Sequence, residues 1–314
     1  MNFINILLGS LLIYSIAIPA TANSNRELKK AQQALASEDY EKAFKLYTHI
    51  EKNSHNALAQ FSLALMYQQG LGRPINMNLA CDWFKKSAQG NIPTATHAYA
   101  ECLEKGVNDE PDFKAAALWY QKAGDLGAFT SYCALGRLYM EGLGVTKQPK
   151  KALHLCQLAA EKGSPQSIIQ LGHWYLEGIE SIRNLSAAQQ WFTQGAELNL
   201  AEAEFYIAKM IRAGSIKDTN LIDARYWFEK SASQGYKAAY LPTGELYFTL
   251  DLEDDRPSAK NLAKSYLWLS VAMKRSSQEH KAKAKKLFNK VTKLMPPEWK
   301  KDLDPKISEH IKKY

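Results

Sequence analysis

The sequence predicts an all-α fold, a right-handed solenoid of about seven stacked helix–loop–helix units. Three series of residues at one spacing carry that prediction. Gly70, Gly106, Gly142, Gly178 and Gly214 stand 36 residues apart. Ala80, Ala116, Ala152, Ala188 and Ala224 keep the same interval, and three residues after each come Trp83, Trp119, Leu155, Trp191 and Trp227. A set of small residues, Ala64, Ala100, Gly136, Gly172, Ala208 and Gly244, repeats in step, partnered by Tyr67, Leu103, Tyr139, Tyr175, Ile211 and Tyr247. Interlocking series at a fixed period mark a repeat architecture. Units of this size cannot bury their apolar faces alone, so stacking them makes one continuous core with a long concave surface.

Within a unit the elements follow in order. In the stretch Leu138–Leu153, LYMEGLGVTKQPKKAL, an apolar helix A of about Thr130–Glu141 meets Gly142. Glycine suits the position after a helix end, where a left-handed backbone costs it little. Gln148-Pro149 then starts helix B, since proline is tolerated in a first helical turn. Ala152, Leu153, Leu155 and Leu158 recur at helical spacing, and Gly163 closes the unit. A phosphate-binding loop is excluded here, because the first glycine recurs in every unit and no strand precedes it. The small residues in helix A imply close helix–helix approach, and the Trp and Tyr positions read as core aromatics.

The pattern A-x-x-x-L-G-x-L-Y-x-x-G-x-G-V, followed by A-L-x-W and a closing glycine, resembles the Sel-like repeat, a relative of the tetratricopeptide repeat. LGRLYMEGLGV at Leu135–Val145, LGHWYLEG at Leu171–Gly178 and ARYWFEKSASQG at Ala224–Gly235 carry the resemblance. It covers roughly Ala57–Ser276, as five good units and a looser sixth. The loops GVNDEPDF, GIESIRNLS and GSIKDTNLID depart from it by lacking the second glycine.

The ends differ from the middle. Residues 1–22 contain no charged side chain, run apolar from Phe3 to Ile18, and finish Ala20-Thr21-Ala22. That is the pattern of a secretory signal peptide cleaved near Ala22; a retained N-terminal anchor is the alternative. Residues 23–54 read as a tetratricopeptide-like cap, 55–276 as the repeat array, and 277–314 as a basic helical cap with helices near Gln278–Leu294 and Glu298–Lys313. The array body is near neutral, whereas the chain from Arg256 onward holds sixteen Lys or Arg against five Asp or Glu. An apolar stripe of Ala282, Leu287, Val291 and Leu294 is expected on the first tail helix. Two readings of residues 278–313 stay open: a solvated capping face, or a surface for anionic lipid or cell-wall polymer.

Export would place four cysteines in an oxidising compartment. Cys133 and Cys156 replace residues that are otherwise large, in the series Phe61, His97, Cys133, Ile169, Phe205 and Phe84, Tyr120, Cys156, Phe192, Phe228. The hairpin register brings them level, so a disulfide is expected; buried free thiols are the alternative. Cys81 and Cys102 flank the turn near Asn91 and form a second candidate pair. Neither pair has C-x-x-C spacing, which argues against a redox role.

No catalytic, cofactor-binding or metal-ligating residue is predicted. The chain lacks H-E-x-x-H, G-x-S-x-G, S-x-x-K and a P-loop, and its seven histidines are scattered. His97 reads as a core histidine. The resemblance implies a protein-binding adaptor in envelope assembly, signalling regulation or host interaction. Some exported, cysteine-rich relatives are linked to β-lactam binding or slow hydrolysis, but those carry a cysteine pair in essentially every repeat. Export and the absence of a recognisable binding module argue against nucleic acid. The expectation is an exported, periplasmic or secreted, non-enzymatic scaffold with protein partners.

Overall fold

The computed structural model describes residues 22–178, 181–250, 252–253 and 256–314. The expected leader lies outside them except for Ala22, which begins the first helix. The chain divides into two compact units, Met1–Lys162 and Gly163–Tyr314, so neither terminal cap is a compact unit of its own.

The first unit holds four helical hairpins: α1 (Ala22–Ala36) with α2 (Tyr40–Ser54), α3 (Ala57–Gln69) with α4 (Met77–Gln89), α5 (Pro93–Lys105) with α6 (Phe113–Asp125), and α7 (Thr130–Glu141) with α8 (Pro149–Glu161). The second holds α9 (Pro165–Glu177) with α10 (Leu185–Glu197), α11 (Ala201–Arg212) with α12 (Leu221–Ser233), and α13 (Tyr240–Thr249) with α14 (Ala259–Arg275), then α15 (Gln278–Leu294) and α16 (Lys300–Lys313). Inside each unit the helices up to α15 pack on their neighbours in sequence, the contact pattern of an α-solenoid, while α16 returns to pack on α14. The seventh hairpin, α13–α14, departs from the others. Its connection carries a two-residue antiparallel ribbon, β1 (Leu252–Glu253) against β2 (Arg256–Pro257).

Local chemistry explains why the hairpins repeat. The residue before each helix B is Asn76, Asp112, Gln148, Asn184 or Asn220, again 36 apart. Four of these side chains accept a backbone N–H of the first turn, and Gln148 is followed instead by Pro149. Such caps contribute about 1 kcal/mol each. The amides of Asn76, Asp112, Gln148 and Asn184 donate back to the carbonyls of Tyr67, Leu103, Tyr139 and Tyr175 at 2.8–2.9 Å. These four loops are thereby closed by the same bond.

The recurring glycine follows its expected geometry in four units. Gly70, Gly106, Gly142 and Gly214 have φ between +61° and +79°. Gly178 does not; it is extended, with φ −69° and ψ 178°, and its amide still closes the helix onto the Trp174 carbonyl. The second loop glycine has a different task. A Cβ on Gly72 would stand 2.7 Å from Tyr40 Cβ, and one on Gly144 2.7 Å from Phe113 Cβ. Both contacts lie at the start of the preceding helix B, so the loop rests on the unit before it. In the α5–α6 loop, one of three that lack that glycine, Asn108 occupies the position and donates from Nδ2 to Asp82 Oδ1 at 2.8 Å.

The recurring alanines Ala80, Ala116, Ala152, Ala188 and Ala224 are fully buried. A Cβ on Gly172 would lie 2.5 Å from the Phe192 ring, which shows how closely those helices approach. The aromatics divide in two. Trp83, Trp119, Trp191 and Trp227 are half-buried, and the deep core ring is the next residue, Phe84, Tyr120, Phe192 or Phe228. The Trp faces carry ammonium groups from one turn on: Lys86 lies 3.9 Å above Trp83, Lys122 4.8 Å above Trp119 and Lys230 5.1 Å above Trp227. The ring's negative face and the lysine stem both favour that placement.

Cys133 is bonded to Cys156 within the α7–α8 hairpin, and Cys81 to Cys102 between α4 and α5. The first bond occupies the register that holds a ring pair elsewhere. Phe61 and Phe84 sit 6.0 Å apart, His97 and Tyr120 5.4 Å, and Phe205 and Phe228 5.5 Å. The bond joins residues separated by 23 positions, a loop length for which chain entropy predicts about 3 kcal/mol. Cys133→Ala/Cys156→Ala is therefore expected to lose about 3 kcal/mol, read as a lower urea midpoint under oxidising conditions. The two proteins should converge when both are fully reduced, since Cys81–Cys102 is then open in each.

Candidate functional site: a basic cleft at the end of the array

Among the second unit's concavities, one of about 600 Å³ is built by four helices. Helix α11 presents Phe205, Lys209 and Arg212, which fall on one face by their spacing. From α12 comes Phe228, whose ring meets Phe205 edge-on. Helix α13 adds Leu241, Pro242 and Glu245, and α15 adds His280, Lys283, Lys286, Leu287 and Lys290. The floor is apolar and the rim is cationic. Arg212 pairs with Glu245 at 2.9 Å, Lys209 with Glu177 at 3.7 Å and Lys283 with Glu279 at 2.8 Å. No ion pair among the described residues engages Lys286 or Lys290, and both are exposed.

The tail helix reaches this position through a stripe that differs from the expected one. Ala284 and Val291 are fully buried, with Leu287 and Phe288 packed beside them, while Ala282 and Leu294 are exposed. Leu287 and Val291 lie in the stripe as expected, while Ala284 and Phe288 take the places expected for Ala282 and Leu294, and Phe288 meets Tyr266 at 5.2 Å. Helix α16 returns over the same unit: Tyr266 donates to Asp304 at 2.7 Å, and Tyr240 and His310 hydrogen-bond at 3.2 Å. From the basic stretch 278–313, Lys283, Lys286 and Lys290 line the cleft. Sequence reasoning missed Lys209, Arg212 and Glu245. The available signal was a change of charge at loop-proximal helix A positions that the repeat pattern leaves variable.

Two polar clusters outside the cleft join neighbouring helices. Lys264 reaches both oxygens of Glu229 at 2.7 and 2.9 Å, and Tyr247 donates to the same carboxylate at 2.6 Å. Burial pushes the Glu229 carboxyl up, but the hydrogen bonds from Lys264 and Tyr247 outweigh it and hold the group below the ordinary carboxylate range. In the first unit Arg137 and Tyr120 converge on Glu104, and burial together with that carboxylate drives the Tyr120 phenol upward.

His97 is partly buried rather than fully in the core. Its Nδ1 hydrogen-bonds Ser131 at 2.8 Å and its Nε2 lies 3.5 Å from Glu101. The hydrogen bond from His97 holds Glu101 down to about 2, against burial, with the charges of His97 and Lys105 assisting. A depressed folded-state pKa gives stability that is complete above the normal carboxylate value of 4.5 and is lost as pH falls toward 2. Glu101→Gln should therefore flatten the stability profile across that window and match the wild type at its acid end. Equal slopes in both proteins would remove the pair from acid unfolding.

Among the described residues no group of three His, Cys, Asp or Glu is placed to hold a metal ion, and no helix is long and apolar enough to cross a membrane. The cleft offers a ligand apolar contact on its floor and positive charge on its rim.

No curated protein matches this sequence. Over 78% of its length it is similar to a Sel1 repeat protein from Oxalobacter formigenes, at 26% identity with a TM-score of 0.63, covering 96% of that protein. It is also similar to c5321, a protective antigen of uropathogenic Escherichia coli strains with an SLR fold, at 23% identity and a TM-score of 0.70. That likeness covers 94% of this chain but 62% of c5321. The Sel1 repeat model matches residues 33–48, 57–92, 93–127, 130–164, 165–200 and 201–236. The matches reach back into the N-terminal hairpin and stop before the irregular α13–α14 hairpin. They cover more than half of the chain, whose capped, glycine-closed hairpins supply the geometry of the repeat: the protein belongs to the Sel1 repeat family.

Proposed function

We propose that this protein is an exported, non-enzymatic scaffold that holds partner proteins on the surface of its Sel1 repeats, in envelope assembly, signalling regulation or host interaction. The observation that carries the reading is the apolar-floored, cation-rimmed cleft formed where the repeats meet the tail. Exposed apolar side chains at repeat-equivalent positions support it: Met77, Leu185 and Leu221 at the start of helix B, and Leu118 and Tyr226 further along. A repeating apolar surface of this kind suits an extended chain or another protein's face. Export rests on residues 1–22, their uncharged apolar run and their small-residue finish.

Crosslinking in intact cells, followed by purification and mass spectrometry, tests the scaffold reading. One protein enriched repeatedly, and lost when surface residues of the repeats are changed, is the expected result; no enriched protein overturns it. The N-terminus of the mature protein from fractionated cells should follow Ala22, in the periplasmic or secreted fraction. An uncleaved N-terminus would replace export in soluble form by anchoring. Turnover of a β-lactam by the purified protein would overturn the non-enzymatic part.

A further inference from the structure

We propose that the cleft between α11, α13 and α15 receives an extended acidic segment of a partner protein, with an apolar side chain on its floor and carboxylates on Lys286 and Lys290. The inference rests on the scaffold reading and names the chemistry of the partner.

Three observations select this occupant. The floor is apolar and bounded, with Phe205, Phe228, Leu241 and Leu287 enclosing room for one large side chain. Around it, the cations with acidic neighbours are already engaged, while Lys286 and Lys290 are not engaged by any described carboxylate. An anionic ligand therefore gains most at those two positions. They are four residues apart on α15, about 6 Å along the helix axis. Side chains on one face of an extended chain recur every ~6.6 Å. Two acidic residues separated by one position thus match the two ammonium groups, beside the residue that enters the floor.

A lipid surface fits less well. Membrane-lying helices set an apolar face against the acyl boundary beside their lysines. Here the apolar stripe of α15, Ala284 and Val291, is spent on the protein's own core. A cell-wall polymer would use the cations and leave the apolar floor empty.

The test selects ten-residue peptides from a displayed random library on the purified full-length mature protein. It then measures binding of the enriched peptides to wild type, Lys286→Glu/Lys290→Glu, and the control Lys300→Glu/Lys301→Glu, whose lysines are exposed outside the cleft. The expected result is enrichment of an acidic-x-acidic pattern next to Leu, Phe or Tyr. Binding should fall about tenfold or more in the first variant, stay within about twofold in the control, and weaken with added salt. Enriched peptides without acidic residues, no enrichment at all, or equal binding by the first variant would each overturn the proposal. So would lysine-dependent binding to phosphatidylglycerol vesicles with no acidic peptide selected. The in-cell crosslinking separates the two levels of inference. If Lys286→Glu/Lys290→Glu keeps the crosslinked partner, the scaffold stands and the cleft is not its site; if no partner is found for the wild type, the scaffold itself falls.

Discussion

Replacing Lys230 by methionine is expected to destabilise the protein by about 3–5 kcal/mol, read from urea unfolding at neutral pH. Glu204 on α11 is wholly inaccessible to solvent, and Lys230 stands 2.9 Å from its Oε1. Oε2 accepts a hydrogen bond of 2.6 Å from Gln234. Removing the lysine strands a buried carboxylate, whose desolvation is then unopposed. The magnitude is large because the uncompensated charge costs more than the pair contributes. Glu204→Met/Lys230→Met separates these two effects. A pair of methionines packs without charge, so the double variant should recover most of the stability lost by the single one. If the double variant is as unstable as Lys230→Met, the loss comes from packing around Trp227, on which Lys230 also rests.

The second large effect concerns Phe192. Truncation to alanine should cost about 3–5 kcal/mol, the range for deleting a buried aromatic ring. Phe192 is fully buried in α10, stacked on Tyr206 at 4.9 Å and met edge-on by His173 at 5.7 Å. Its ring also fills the space left by Gly172, so neither side of the contact has a side chain that can move in. Phe192→Leu should cost clearly less, because it leaves a smaller void. Hydrogen exchange in α9, α10 and α11 should quicken in the alanine variant, since a repeat depends on the interfaces it makes with its neighbours. Unchanged exchange in those helices would show that the site collapses and that the packing is looser than the contacts imply.

How much of this was legible follows from how local each feature is. The hairpin is a local object. Its cap, its loop-closing bond and its first glycine lie within one period, and most units repeat the same solution. Gly142 could therefore be placed at a helix end from the sequence alone. Gly178, at the same register, is extended, since a helix amide can close onto the carbonyl four residues back without a left-handed turn. The period marked the Trp positions but not their depth. Half-burial of Trp83, Trp119 and Trp227 became clear only with the lysine lying over each ring. The capping series Asn76, Asp112, Asn184 and Asn220 was present at the same spacing, and its polar side chains were a readable start signal for helix B.

The amino-acid sequence by itself determined the repeat, its length, its helix ends and the charge imbalance of the tail, because these depend on residues a few positions apart. Tertiary structure alone decided the division of the chain at residues 162 and 163, the burial of Glu204 opposite Lys230, and the register in which α15 packs. It also decided which basic residues share a surface. Lys209 and Lys290 are 81 positions apart and meet at one rim. That convergence depends on the packing of four helices around a shared floor, which no spacing along the chain encodes.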